Sequence, residues 1–143
     1  HVLLVSLAFT KCFETIKAAA QKVQVFSINS GADSAAKVGS LAHFGMHDYQ
    51  AGYSTVEPFA SNFAATGVKL TSCAVINFEP DNIAMTKRVE GLQAACLEKN
   101  LTWLGESVVD VSSAAGQQDA VAALVSSHHS TSTSTEGLGI VIL

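Results

Sequence analysis

The chain lacks the short signatures by which many enzymes announce themselves. No G-x-x-x-x-G-K-[ST] segment offers a loop to cradle phosphates, no G-x-G-x-x-G follows a strand-like run, and no G-x-S-x-G elbow presents an acyl-transfer serine. The "GLG" at 137–139 precedes an apolar run instead of following one. An enzyme is therefore the least expected reading, and no cofactor is implied. Charge is scarce as well. Only 14% of the 143 residues are charged, and 12 acids outweigh 8 Lys and Arg for a net −4. That balance leaves no basic stripe for nucleic acid. No apolar run approaches the roughly 20 residues of a membrane span, so no membrane insertion is expected. There are three cysteines, Cys12, Cys73 and Cys96, and no C-x-x-C pair. They read as small buried hydrophobes, with a single Cys73–Cys96 bridge left open.

What is present is a hydrophobic pattern. "HVLLVSLA" (1–8) is a short, nearly continuous apolar run of the kind buried on both faces of a parallel sheet. Thr10 can cap a helix over about 11–21, with Phe13, Ile16 and Ala20 on one face. "VQVFSIN" (23–29) is a second strand, which makes a βαβ unit with parallel strands and a right-handed crossover. Residues 30–40 are small and polar and read as a connection. "LAHFGM" (41–46) is a short strand. A helix follows over 48–65, with Pro58 inside it as a kink or a division. Strands at 69–78 and 102–111, the latter broken near Gly105, alternate with helices ending near Lys99 and spanning 115–127. A polar "HHSTSTSTEG" loop leads to the strand "LGIVIL". This order is α/β class: Rossmann-like parallel sheet flanked by helices. It divides into the end of one lobe (1–30), a crossover (31–40) and most of a second lobe (41–143). Both ends of the sequence fall in core-like strands, so a piece of something longer, or a processed product, is expected.

Ligands of open α/β sheets bind beyond the carboxyl ends of the strands. Those ends here are "NSG" (29–31), "MHD" (46–48), "NFEPDN" (77–82) and "DVSS" (110–113). His43 and His47 invite a metal reading. His43 falls in a strand and His47 in the turn after it, so their spacing does not align them on a helical face; no metal is expected. Asp48 reads as a helix cap or a ligand acceptor. Asn29, an amide at a strand end, can bond a ligand hydroxyl or shape the turn before Gly31. Glu79, Asp81 and Asn82 cluster at a strand–helix junction. Capping accounts for one of them and ligand contact for the rest. Phe78 and Trp103 are core residues by default, although Phe78 at a strand tip offers a stacking face for a sugar.

Three stretches in order, "VQVFSINSGAD", "LAHFGMHDYQAGY" and "CAVINFEPDNIAMTKRVEGLQAACLEKNL", resemble the middle of a type I periplasmic sugar-binding protein. The same fold forms the effector-binding domain of lactose-repressor-type regulators. The resemblance implies two Rossmann-like lobes joined by crossing strands, with a ligand closed between them. It places the first crossover near "NSGADSAAKVGS", with the family's first two strands missing. Asn29 and Ser30 fall where many members carry an Asp-Arg pair for sugar hydroxyls, so a bidentate contact is missing. Thr86 falls near a ligand-binding Arg of ribose-type members, with Arg88 close by. Glu79 and Asn82 fall in a loop facing the crevice, and Asp110 and Ser112 near another contact loop. Pro58 and the "HHSTSTST" insertion depart from the bacterial pattern.

The reading is then non-catalytic binding of a small polar solute, a sugar or polyol, by a secreted, periplasmic or extracellular protein. Its expected contacts are Asn29, Ser30, Asp48, Phe78, Glu79, Asn82, Thr86 and Asp110. The alternative is a self-associating structural protein on the same fold, a homo-oligomer covering exposed sheet edges. A regulator's sensor domain would need a DNA-binding headpiece, and none of these residues supplies one.

Overall fold

The computed structural model describes residues 1–109, 114–129 and 136–143. Among these residues six strands form two parallel sheets. In the first, β1 (Val2–Ser6), β2 (Gln24–Asn29) and β3 (His43–Gly45) lie in the order β1-β2-β3. In the second, β4 (Lys69–Asn77), β5 (Thr102–Val108) and β6 (Glu136–Ile142) take the order β5-β4-β6. The register runs Val2↔Gln24 to Ser6↔Ile28 in the first βαβ unit, whose crossover helix is α1 (Phe13–Ala20). The expected α/β class and parallel pairing are what the chain adopts.

The second sheet is the sheltered one. All of β4 except Lys69 and Thr71 is buried, because helices cover both faces. On one side α3 (Val56–Ala65) and α4 (Ile83–Glu98) pack Val56, Val89, Leu92 and Cys96 against Leu70, Cys73 and Val75. On the other, α5 (Ala114–His129) sets Leu124 against Ala74, Ile76 and Val109. The break expected at Gly105 is a β-bulge. Trp103 pairs with Cys73 and Glu106 with Val75, and the glycine takes φ +101 there.

The first sheet departs from expectation in two ways. The run at 1–8 is not buried on both faces. Leu3 and Val5 pack toward the core of Leu7, Ile16, Val25 and Val38, while Val2 and Leu4 are 63% and 58% exposed. No helix among the described residues covers that side. In addition, the strand at 43–45 pairs with β2 (Ser27↔His43, Asn29↔Gly45), so residues 31–40 join two strands of one sheet. They fold as 3₁₀ turns, Ala32–Ser34 and Ala36–Val38, and insert Val38, fully buried, into the first core. Leu41 N then bonds Val25 O at 2.8 Å, so the anchored segment returns to its own sheet.

The chain passes to the second sheet through α2 (Asp48–Tyr53) and α3. The single helix expected over 48–65 divides at Ser54 and Thr55, ahead of Pro58. Proline sits in the first turn of α3, where a missing N–H has no acceptor to lose. Helix α2 crosses α4 at very close range. A methyl group on Gly52 would lie 1.9 Å from Arg88 O, and one on Gly91 2.0 Å from Tyr49 O. Beside the crossing, Arg88 Nε and Asp48 Oδ1 are 3.0 Å apart.

Candidate functional site

The carboxyl ends of β1 and β2 meet the amino end of α4, and one backbone bond joins the two. Ile83 N donates to Ala8 O at 2.8 Å. On the first-sheet side, Leu7 N donates to Ser30 O at 3.2 Å, which ties the β1 exit to the β2 exit. The approach requires Gly31. Its φ is +85, and a Cβ there would meet Leu7 O at 2.6 Å. Asn29 has φ +65, a conformation asparagine tolerates better than most residues, and it is exposed. Ser30 is only 3% exposed.

On the second-sheet side the "NFEPDN" loop is braced by its own amides. Asn77, fully buried, donates to Glu106 Oε1 at 2.7 Å and accepts from Glu79 N at 2.9 Å. Asn82 caps α4. Its Oδ1 accepts from Ala84 N at 3.0 Å, and its Nδ2 donates to Glu79 Oε2 at 2.7 Å. The amides use their hydrogen bonds to shape the loop, and the exposed Glu79 is held in place by it. Thr86, one turn into α4, is exposed, with its hydroxyl 3.3 Å from both Pro80 O and Asn82 O.

Between these edges lies a cavity of about 210 Å³, lined by Thr10, Phe13, Gly31, Asp33, Ser34, Lys37, Asp48, Ile83 and Lys87 among others. A hollow of about 230 Å³ shares Thr10 and adds Phe9, Lys11 and Asp81. Lys87 is held above its ordinary pKa chiefly by its hydrogen bond to Glu90, and Asp33 adds to the effect.

Of the expected contacts, Asp48 lines this cavity; Ser30 and Asn82 are the chain neighbours of its lining residues Gly31 and Ile83, and Asn29, Glu79 and Thr86 are not among its lining residues. Asp48 is buried and engaged by Arg88. Phe78 points elsewhere. It packs with Ile76, Val109 and Leu124, and lines an apolar groove with Val121 and Ile142 under α5. Asp110 and Ser112 lie outside the described residues. His43 sits in β3 with Nδ1 3.0 Å from Ser27 Oγ, whereas His47 is exposed at the start of α2. Sequence reasoning missed Thr10, Asp33, Lys37 and Lys87. The strand-end rule applied to β1, as it was to β2 and β4, points to Thr10. Asn77 also carried a signal, as an amide closing a strand that is otherwise apolar.

No protein-family model matches the sequence, and no curated protein matches it. A match does come from solved structures. It is a carbohydrate transporter solute-binding protein from Agrobacterium radiobacter, in complex with D-arabinose. The TM-score is 0.75 at 19% identity, over 97% of this chain and 46% of that one. This chain therefore shares the fold of that solute-binding protein, over about half of that protein's length.

Proposed function

We propose that the chain is a non-catalytic binding module for a small neutral polyol, a sugar first of all, taken up in the crevice between the two sheets. One observation carries the reading. The segments that follow β1 and β2, with Thr10, Gly31 and Asp33, converge with Ile83 and Lys87 of α4 on one cavity, and Ile83 N donates to Ala8 O beside it. The D-arabinose complex of the structurally similar protein supports the ligand class. In this reading the exposed Asn29, Glu79 and Thr86 are proposed contacts for hydroxyls. Thr10, Lys37 and Lys87 add donors. Ser30 and Asn82 shape the walls, and Asp48 acts through Arg88. A secreted or periplasmic location fits this role.

Calorimetric titration with a panel of pentoses and hexoses, D-arabinose included, tests the reading. Saturable binding is expected, and with it a stabilisation that reaches about 2.7 kcal/mol at a hundredfold excess over Kd. Absence of heat and of any melting shift across the panel at millimolar sugar refutes it.

A second reading, self-association, is favoured by the bare face of the first sheet, where Val2, Leu4 and Phe44 are exposed. Three short strands present a footprint of only roughly 250 Å², from strand spacing and rise. A stable interface needs about 800 Å² per partner. The face therefore supports weak association, and light scattering across a dilution series reads it directly.

A further inference from the structure

Of the asparagines in the chain, Asn29, Asn62, Asn77, Asn82 and Asn100, only Asn100 is followed two positions on by a hydroxyl residue, in Asn100-Leu101-Thr102. N-x-[ST] with no proline at x is the acceptor pattern for N-linked sugar. So short a pattern arises often by chance, and its place in the fold is what sets this one apart. Asn100 follows α4 in a Schellman turn. Its N donates to Leu97 O at 3.0 Å, and Leu101 N donates to Cys96 O at 2.9 Å. Asn100 takes φ +56, the left-handed conformation that glycine fills by default and asparagine tolerates. Leu101 packs against the core cluster that holds Cys96. Backbone bonds and one apolar side chain therefore close the turn. The Asn100 amide is not used for it: the residue is exposed, and its side chain has no hydrogen bond among the described residues. Asn77 and Asn82, by contrast, use their amides to brace the loop after β4. Thr102, also exposed, opens β5.

We infer that Asn100 is the acceptor of an N-linked oligosaccharide on the exported chain, an inference that rests on the secreted location proposed above. The donor is an oligosaccharide held on a lipid diphosphate, and the catalyst is a membrane-bound transferase. Asn100 Nδ2 attacks the anomeric carbon of the donor. A C–N bond forms, the bond from that carbon to the diphosphate oxygen breaks, and the lipid diphosphate leaves with the electron pair. The amide nitrogen loses one proton, and nothing is oxidised or reduced. The folded turn accepts the product without losing a contact, because the amide it modifies has no partner to give up. Two consequences follow from the position. Helix α4 is 16 residues, about 24 Å, long, with Asn82 at the crevice end and Asn100 beyond the other, so the glycan leaves the crevice open. Strand β5 is also an edge, in the order β5-β4-β6. Its outer side is unpaired among the described residues, which invites pairing with a strand of another chain. The bulge at Gly105 interrupts that edge near its middle, and a glycan on Asn100 covers its beginning.

The test reads the covalent product and does not depend on whether a sugar binds in the crevice, which calorimetry reports separately. The 143-residue chain is expressed in mammalian cells behind a cleavable export leader. Protein from cells and medium is compared with and without digestion by peptide N-glycosidase, then mapped by mass spectrometry. The expected product migrates more slowly until digested, and digestion leaves aspartate in place of Asn100. Asn100→Gly, which suits the left-handed turn, removes the shift with the fold intact by circular dichroism. Thr102→Ala removes it as well, whereas Thr102→Ser keeps it. A leader-cleaved chain with Asn100 bare, or a glycosidase-sensitive shift that survives Asn100→Gly, overturns the assignment. Light scattering then compares the glycosylated chain with Asn100→Gly at equal concentration. Greater association of the bare variant is expected, and equal association overturns the shielding of the β5 edge.

Discussion

Substituting Gly91→Ala sets two physical effects of opposite sign against each other. Gly91 is in the middle of α4 and is buried. By helix propensity alone, alanine there stabilises the helix by about 0.8–1.0 kcal/mol. The new methyl group, however, would lie 2.0 Å from Tyr49 O and 2.8 Å from Tyr53 N, both backbone atoms of α2. Ordinary contact begins near 3.5 Å, so α2 must retreat by about 1 Å or more. Overpacking of this kind costs about 1–3 kcal/mol, and the upper end applies because backbone cannot rotate away. The net expectation is a loss of roughly 1–2 kcal/mol. In urea, with a slope of about 1–3 kcal/mol/M, the midpoint falls by roughly 0.5–1 M. Gly52→Ala meets the same crossing from the other helix, at 1.9 Å from Arg88 O. Because either methyl alone separates the helices, the double variant should lose clearly less than the sum of the two singles. Circular dichroism through a urea series measures all three. A raised midpoint for Gly91→Ala, or strict additivity, would refute the close-crossing argument.

Further outcomes follow from other contacts. Asp48→Ala leaves Arg88, half-buried, without its carboxylate, and should cost about 2–3 kcal/mol in urea denaturation. Asn82→Ala removes the α4 cap and frees Glu79, at about 1 kcal/mol in stability, and calorimetry should show weaker sugar binding as well. In reductant, Cys73 stays protonated in the folded chain up to about pH 12, while the unfolded chain ionises near 8.5. The unfolded state then binds fewer protons, so stability falls as pH rises through that window, by about 2 kcal/mol at pH 10. A Cys73→Ala chain that shows the same alkaline slope would rule this out. Leu4→Thr changes an exposed side chain, so stability should move by no more than about 0.5 kcal/mol while light scattering reports less association.

The sequence by itself determined the local order of this protein. Apolar runs at 2–6, 24–29 and 69–77 became strands, and the period of Met85, Val89, Leu92 and Cys96 became α4, whose cap is Asn82, one residue beyond the Asp81 that the sequence suggests. Each of these depends on neighbours within a turn or a strand, where side-chain period and capping chemistry are read directly. Tertiary structure decided the rest. His43–Gly45 joined the first sheet because Val38 anchors the preceding turns in its core. Helices covered both faces of β4 but only one of β1, and the short run at 2–6 reads the same in either setting. Phe78 turned to the α5 side instead of the crevice. The Asp48–Arg88 pair, the Gly52 and Gly91 contacts and the common core of Cys73 and Cys96 join residues 23 to 42 positions apart. Nothing in the periodicity of a single segment records which distant partner it will meet, because that choice is made by the packing of whole elements and the area they bury together.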